Sequence, residues 1–163
     1  MGAGYIGLEF AQVMQRLGSR VSVIERNNRV LGREDEDVSS ALRDILSKEG
    51  VEFHFSTHVT HIHGRSGDSI TLEGNQSGIP FKLTGSHLLV AAGRTPNNDG
   101  IGLEDAGIAT TKAGHVQVDE YLRTSQSNVF AVGDCAGSPQ FTHIGFGKSA
   151  VIVAFQLKLT NRA

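Results

Sequence analysis

Cysteine is nearly absent from this chain: Cys135 stands alone. A single cysteine excludes an internal disulfide and a redox dithiol pair within the chain, and it sets a reducing, cytoplasmic compartment as the expectation. A surplus of positive charge is absent too. The 15 basic side chains are set against 17 acidic ones, a net charge of -2. That balance argues against nucleic acid as the main partner, because a phosphate backbone selects for a basic surface. Long apolar runs are also missing. Ala150 to Phe155 is the longest, far short of the ~20 residues a membrane-spanning helix needs. Met1 is followed by glycine, with neither a basic segment nor an apolar stretch behind it, so no signal peptide is expected. Internal repeats and low-complexity tracts are likewise lacking.

What is present fits a packed globule: 39% hydrophobic and 20% charged residues, a mixture that does not read as disorder. Glycine is abundant, with 20 residues, more than average composition supplies. The glycines fall where strands would turn into helices or loops, which suits an α/β protein whose backbone approaches ligands closely.

Along the chain, Ile6, Phe10, Val13, Met14 and Leu17 recur at helical spacing, and Gly18 is a natural stop. Arg20 to Ile24 reads as a strand ending in Glu25. A second helix is expected from about Glu36 to Glu49, with Val38, Leu42, Ile45 and Leu46 on one face and Gly50 after its end. The acidic cluster Glu34-Asp35-Glu36-Asp37 stands at its start. Paired catalytic carboxylates are one reading of that cluster; a solvated helix start that complements the helix dipole is the simpler one. Val51 to Phe55 is the next expected strand. The spans His58 to His63, Ser69 to Glu73 and Ile79 to Leu83 then read as a β-meander with turns at Gly64-Gly67 and Gly74-Gly78. The apolar run His87 to Ala92 fits a buried parallel strand ended by Gly93. A domain boundary is expected at Pro96-Asn97, giving units 1–96 and 97–163. Beyond it, short strands are expected around His115 to Val118 and Val129 to Val132, with a last helix from about Thr142.

The sharpest local signal is Gly2-Ala3-Gly4-Tyr5-Ile6-Gly7 opening a helix. In a G-x-G-x-x-G turn the first glycine permits the tight bend, the second lets a pyrophosphate touch the backbone, and the third lets the helix pack closely on the sheet. The helix N-terminus offers free N–H groups and positive potential to the phosphates. Glu25 follows Gly7 by 18 residues, at the end of the next strand. A carboxylate there can accept hydrogen bonds from the adenosine ribose and repels a 2′-phosphate, so NAD is favoured over NADP. Arg26 and Arg29 nearby leave the second cofactor open. Such a turn ordinarily follows a central strand, and here only Met1 precedes it. A sheet without that strand exposes backbone edges and apolar helix faces. The expectation is a fragment or truncated product, or a strand supplied by a partner.

Three further motifs stand in fixed order after the turn: Ala91-Ala92-Gly93-Arg94-Thr95-Pro96-Asn97, then Thr124 followed by Val129-Phe130-Ala131-Val132-Gly133-Asp134, then Pro139-Gln140-Phe141-Thr142-His143. Together with the glycine turn they resemble the pyridine nucleotide-disulfide oxidoreductases, the family of lipoamide dehydrogenase, glutathione reductase and mercuric reductase. The resemblance covers the whole chain. It implies a Rossmann-like doubly wound parallel sheet with a meander insertion, followed by part of a second, FAD-binding α/β domain. It implies a full-length flavoprotein that passes a hydride from NADH to FAD and on to a disulfide, quinone, metal ion or similar acceptor, and a parent homodimer.

The resemblance also implies roles. Tyr5 would cover the nicotinamide pocket, and Glu9 would meet the nicotinamide end. Val59 would touch the adenine and Gly93 would contact the cofactor through its backbone. Gly2, Gly4, Ile6, Gly7 and Glu25 complete the NAD set. Asp134 would accept hydrogen bonds from the flavin ribityl chain. Gln140, Phe141, Thr142 and His143 would bring backbone N–H groups to the flavin ring. Several family parts are missing: the N-terminal FAD-binding turn, the CxxxxC redox pair, and the C-terminal dimerisation domain with its His-Glu acid/base pair. No catalytic residue is therefore assigned, and the chain alone is expected to be inactive; a non-catalytic dinucleotide-binding module is the alternative. Cys135 reads as a small packing residue. His54, His58, His61 and His63 raise the thought of a metal, but no cysteine or acidic ligand stands at zinc-site spacing, and a solvated strand is the preferred reading.

Overall fold

The computed structural model describes residues 1–138 together with Gly145, Gly147 and Lys148. The chain divides into two compact units, Met1–Gly93 and a second beginning at Arg94. In the first unit, helix α1 (Tyr5–Arg16) leads to strand β1 (Ser22–Ile24), helix α2 (Glu36–Lys48) and strand β2 (Glu52–His54). β1 and β2 are parallel, with Val23 opposite Phe53. The meander follows as β3 (Thr57–Gly64), β4 (Ile70–Gln76) and β5 (Ile79–Gly85), an antiparallel sheet in the order β3-β4-β5. The fold class is mixed α/β, as expected.

Both helices form where the apolar spacing places them. α1 ends where Gly18 adopts a left-handed φ of 94° and α2 where Gly50 does so at 97°, conformations that cost glycine little. The acidic cluster behaves as a helix start. Asp35 is the N-cap of α2, Glu36 and Asp37 occupy its first turn, and the Asp37 carboxylate accepts the Val38 N–H. Between the helices and the β1–β2 pair lies the core: Ala3, Leu8, Ala11, Val23, Val30, Leu31, Leu46 and Val51. The buried Ser39 hydroxyl donates to the Val30 carbonyl at 2.7 Å and ties α2 to the loop after β1.

α1 and α2 are also clamped at their C-terminal ends. Arg16 and Gln12 both donate to the Glu49 carboxylate. The Arg16 guanidinium holds the Glu49 carboxyl below its usual 4.5. A depressed folded-state pKa gives a contribution that is present above the unfolded value and lost as pH falls through the folded one. Thermal stability should therefore decline on acidification below about pH 4.5 partly through this carboxyl. Glu49→Gln should flatten that acid limb, measured as melting temperature against pH; an unaltered acid limb would count against the clamp.

Several expectations need correction. His87 to Ala92 forms no strand, and its apolar side chains are not buried: Leu89 is 47% and Val90 59% exposed. The reason is pairing. The Met1 nitrogen donates to the Leu89 carbonyl and the Ala91 N–H donates to the Met1 carbonyl, while the Leu88 N–H is taken by the Ser66 hydroxyl at 3.1 Å rather than by a strand backbone. The first strand is shorter than expected, beginning at Ser22: the turn out of α1 runs through Leu17 and Gly18, and the Val21 N–H is taken by the Gln15 side chain. Gly74 belongs to β4 rather than to a turn, and lies opposite Val59 and Phe81. The strands expected at His115 to Val118 and Val129 to Val132 reduce to single bridges, Thr110 with Val116 and Arg123 with Phe130. The helix expected from about Thr142 falls largely outside the described residues.

Candidate functional site

The three glycines of the first turn do three different things. Gly2 has a φ of 98°, and a Cβ there would overlap the Ala91 carbonyl. It is held by conformation and by close approach of the backbone. A Cβ on Gly7 would overlap the Gly2 carbonyl and sit 3.6 Å from the Ala91 Cβ, so Gly7 lets α1 rest directly on the turn. Gly4 differs from both. Its φ is -82°, and a Cβ built there meets no atom within 4 Å. The space over Gly4 opens at the N-terminus of α1, which has neither a side-chain cap nor an acidic residue in its first turn. Free N–H groups and the positive end of the helix dipole therefore face it, a setting that suits an anion.

Glu25 closes the other side of the turn. Its side chain is buried, and its Oε2 accepts the Ala3 N–H at 2.8 Å. Its Oε1 accepts both the Asn27 N–H at 2.9 Å and the Asn27 Nδ2 at 2.8 Å. The backbone of Glu25 bonds to His54 and Thr57, stitching the turn, β2 and the start of β3 together. Oε2 carries one protein donor where Oε1 carries two, so Oε2 retains more capacity to accept a hydroxyl.

The remaining expected residues are distributed around this pair. Tyr5 and Ile6 are exposed, and the Tyr5 hydroxyl donates to the Glu34 carboxylate. That bond holds the phenol above its usual pKa. Glu9 is exposed on α1, one turn past Tyr5. Val59 is half-buried on β3, beside an irregularity in register between Val59 and His61. Gly93 has a φ of 123° and open space at its Cβ position.

In the second unit Asp134 opens a 3-10 turn (Asp134–Ala136) and pairs with Arg94 at 3.2 Å, each about half exposed. The half-buried Cys135 thiol donates to the Val132 carbonyl at 3.3 Å. Gln140, Phe141, Thr142 and His143 lie outside the described residues.

The sequence assigned no role to Ala3, Asn27 or Arg94 and placed Glu34 only in the acidic cluster. Ala3 and Arg94 lie inside the motifs quoted above, whereas Asn27 carried no signal. The histidine cluster resolves into local contacts. His61 and His63 stack at 6.1 Å, and His63 lies 3.6 Å from Glu73, which also pairs with Lys82 at 2.9 Å. Among the described residues no three acidic, histidine or cysteine side chains are grouped to hold a metal ion, and no helix is long and apolar enough to cross a membrane.

Comparison with known proteins accords with this geometry. Residues 1–148 match the family described as pyridine nucleotide-disulphide oxidoreductase. The chain is 37% identical to the mitochondrial dihydrolipoyl dehydrogenase of Dictyostelium discoideum over 88% of its own length and 30% of the relative's. It is 37% identical to a mercuric reductase of Streptomyces lividans, over 93% of the chain and 32% of the relative. Among solved structures it is similar to the HOCl-induced flavoprotein disulfide reductase RclA of Escherichia coli in its Cu(II) complex, with TM-score 0.83, 33% identity, and coverage of 93% of this chain and 33% of that one. It is similar also to LpdA of Mycobacterium tuberculosis, with TM-score 0.85, 27% identity, and coverage of 96% and 33%. The chain thus spans about a third of the length of these relatives. The glycine turn, the ordered motifs and the match over residues 1–148 agree: the chain belongs to the pyridine nucleotide-disulphide oxidoreductase family.

Proposed function

We propose that the Met1–Gly93 unit binds NADH and that the unit beginning at Arg94 is part of a flavin site, within an oxidoreductase that uses both cofactors. The observation that carries the reading is the open space over Gly4 beside the buried carboxylate of Glu25. The pyrophosphate would sit over Gly4 on the first N–H groups of α1. The adenosine ribose would present its hydroxyls to Glu25 Oε2. Gly2 and Gly7 hold the backbone in place, and Ile6 continues the cradle along the helix. Tyr5 and Glu9 would flank the nicotinamide end, Val59 the adenine, and Gly93 the cofactor backbone. Asp134 would hold the flavin ribityl chain, with Arg94 orienting its carboxylate, and Gln140, Phe141, Thr142 and His143 would face the ring.

When bound, the cofactors supply the hydride chemistry, from NADH to FAD and on to a disulfide or other acceptor; the protein supplies position and electrostatics. The only cysteine is Cys135, so the redox pair of a disulfide reductase would come from outside this chain. So would the remaining FAD-binding segment and a dimerisation domain of a homodimeric parent. A module that binds the dinucleotide without turnover is the second reading, favoured for the isolated chain by the absence of a second cysteine.

The choice of nucleotide tests the reading. Calorimetric titration should give NADH at least about tenfold tighter than NADPH, a difference of about 1.4 kcal/mol, because the Glu25 carboxylate opposes a 2′-phosphate. Glu25→Gln should bring the two within about threefold, and the NADH bound by the isolated chain should remain reduced. Equal affinity of the unaltered, folded chain for both nucleotides would sink the assignment of Glu25.

A further inference from the structure

His61 and His63 stand two residues apart on β3, so both side chains leave the same face of the meander. Both residues are exposed. Their rings are parallel, with an interplanar angle of 1° and centroids 6.1 Å apart. Glu73 of β4 is the register partner of His61, and Lys82 of β5 is that of Glu73. A polar row thus crosses all three strands. Glu73 Oε1 accepts from the Lys82 ammonium at 2.9 Å, and Glu73 Oε2 lies 3.6 Å from His63 Nε2.

The hydrogen bonds of Thr60 decide which nitrogen of His61 is free. The Thr60 hydroxyl donates to the Glu73 carbonyl at 3.3 Å and lies 3.0 Å from His61 Nδ1. A hydroxyl has one proton, so both bonds hold at once only if Nδ1 is the donor to Thr60. Neutral His61 then carries its proton on Nδ1 and keeps the lone pair on Nε2. Thr60 stands where the register of β3 against β4 shifts, between Val59 and His61. Such an irregularity re-aims a side chain. An imidazole that ligates a metal ordinarily has its other N–H held in this way.

Metal–nitrogen bonds of about 2.0–2.1 Å put two imidazoles on one ion with centroids roughly 5–6 Å apart. The two rings are close to that span, and small rotations of two exposed side chains close the remainder. The neighbouring histidines differ. His54 has its Nε2 buried without a partner and its ring against Phe81. His58 precedes the irregularity and lies opposite Asn75. Glu73 is held by Lys82 and supplies no third ligand, in keeping with the absence of a three-ligand group among the described residues. Imidazole nitrogens suit zinc, copper and nickel, whereas magnesium and calcium take oxygen ligands.

We propose that His61 and His63 form a two-imidazole chelate on the meander for a divalent transition-metal ion of the zinc type. His61 binds through Nε2, water completes the coordination, and Thr60 fixes the His61 tautomer. Lys82 keeps the Glu73 carboxylate out of the coordination shell. Two protein ligands make an open site, weaker than the four-ligand site of a structural zinc. None of these residues belongs to the proposed cofactor sites, so the two readings fail separately.

The test is titration of the full, folded chain with zinc chloride, followed by the histidine ring resonances in NMR. The rings of His61 and His63 should respond at the lowest zinc concentrations, ahead of His58, His87 and His115, and millimolar magnesium should move neither. His61→Asn and His63→Asn should each weaken zinc by about tenfold or more, because a single imidazole is no chelate. His58→Asn should leave the affinity within about twofold. Thr60→Val should weaken zinc by about threefold or more through the lost partner of Nδ1. Lys82→Gln should tighten it by about threefold or more, since Glu73 is then free to join. A response at His58 equal to that at His61 and His63, an unaltered affinity in His61→Asn, or no response of either ring to millimolar zinc would overturn the proposal. Weaker binding by Lys82→Gln would overturn the part given to Glu73.

Discussion

Gly7→Ala should destabilise the chain by about 3 kcal/mol, the upper range for forcing an extra methyl into a packed site, while Gly4→Ala should leave stability within about 0.5 kcal/mol. The two substitutions add the same atom to the same turn. At Gly7 the new Cβ runs into the Gly2 carbonyl, part of a backbone pinned by the Gly2 N–H on the Ile24 carbonyl and by the Leu31 N–H on the Ala3 carbonyl. Nothing there is a flexible side chain that could move aside. The gain in helix propensity from glycine to alanine, about 1 kcal/mol, offsets only part of the clash. At Gly4 the backbone is already in a region open to any residue, and the added Cβ meets nothing. Its consequence is for the ligand: a methyl group over Gly4 stands where the pyrophosphate would approach, and NADH affinity should fall by about tenfold or more, equivalent to about 1.4 kcal/mol. Chemical denaturation and NADH titration of the two variants separate the effects. Equal loss of stability at both positions would contradict the division of labour.

The second large effect is at Glu25. Its carboxylate accepts three N–H donors, from Ala3 and Asn27. The Ala3 N–H belongs to a residue that is only 2% exposed, so water replaces the lost partner poorly. Glu25→Ala should cost about 3 kcal/mol, from a charged hydrogen bond worth about 1.5–3 kcal/mol and a buried donor left unmatched. Glu25→Gln keeps one acceptor oxygen and should cost about half as much. Denaturant midpoints at neutral pH measure both. A loss below about 0.5 kcal/mol for Glu25→Ala would show that the carboxylate does not organise the turn. This side chain fixes the turn from beneath, and in the proposed function its remaining acceptor capacity would go to the ribose.

The sequence made some of this legible and hid the rest for physical reasons. The helices were visible because Phe10, Val13, Leu42 and Leu46 recur at the period of an α-helix and because Gly18 and Gly50 end each run. The meander was visible through its alternation and its glycines. The motif assigns separate tasks to Gly2, Gly4 and Gly7, and a Cβ built at each would meet clash, open space and clash in turn. The apolar run at His87 to Ala92 misled because a strand requires a paired backbone along its length, and among the described residues this run bonds to Met1 at one end and to the Ser66 side chain instead. Apolar composition reports what a segment would bury, not whether something lies beside it. The bonds of Glu25 to Ala3 and Asn27 depend on side-chain placement that no periodicity encodes. Arg94 and Asp134 lie 40 residues apart, a separation at which spacing rules are silent. The single bridges in the second unit likewise replace expected strands, since short apolar runs such as Val129 to Val132 carry no record of whether they have a partner to pair with.

NADH-dependent amide shifts in the isotope-labelled chain test the proposed dinucleotide site at the N-terminal turn most directly. Saturating NADH should shift the amides of Gly4, Tyr5 and Ile6 most, with a second group at Glu25 and Asn27, and should leave β4 and β5 nearly unmoved. A folded chain whose Gly4, Tyr5 and Ile6 amides do not respond to millimolar NADH would contradict it.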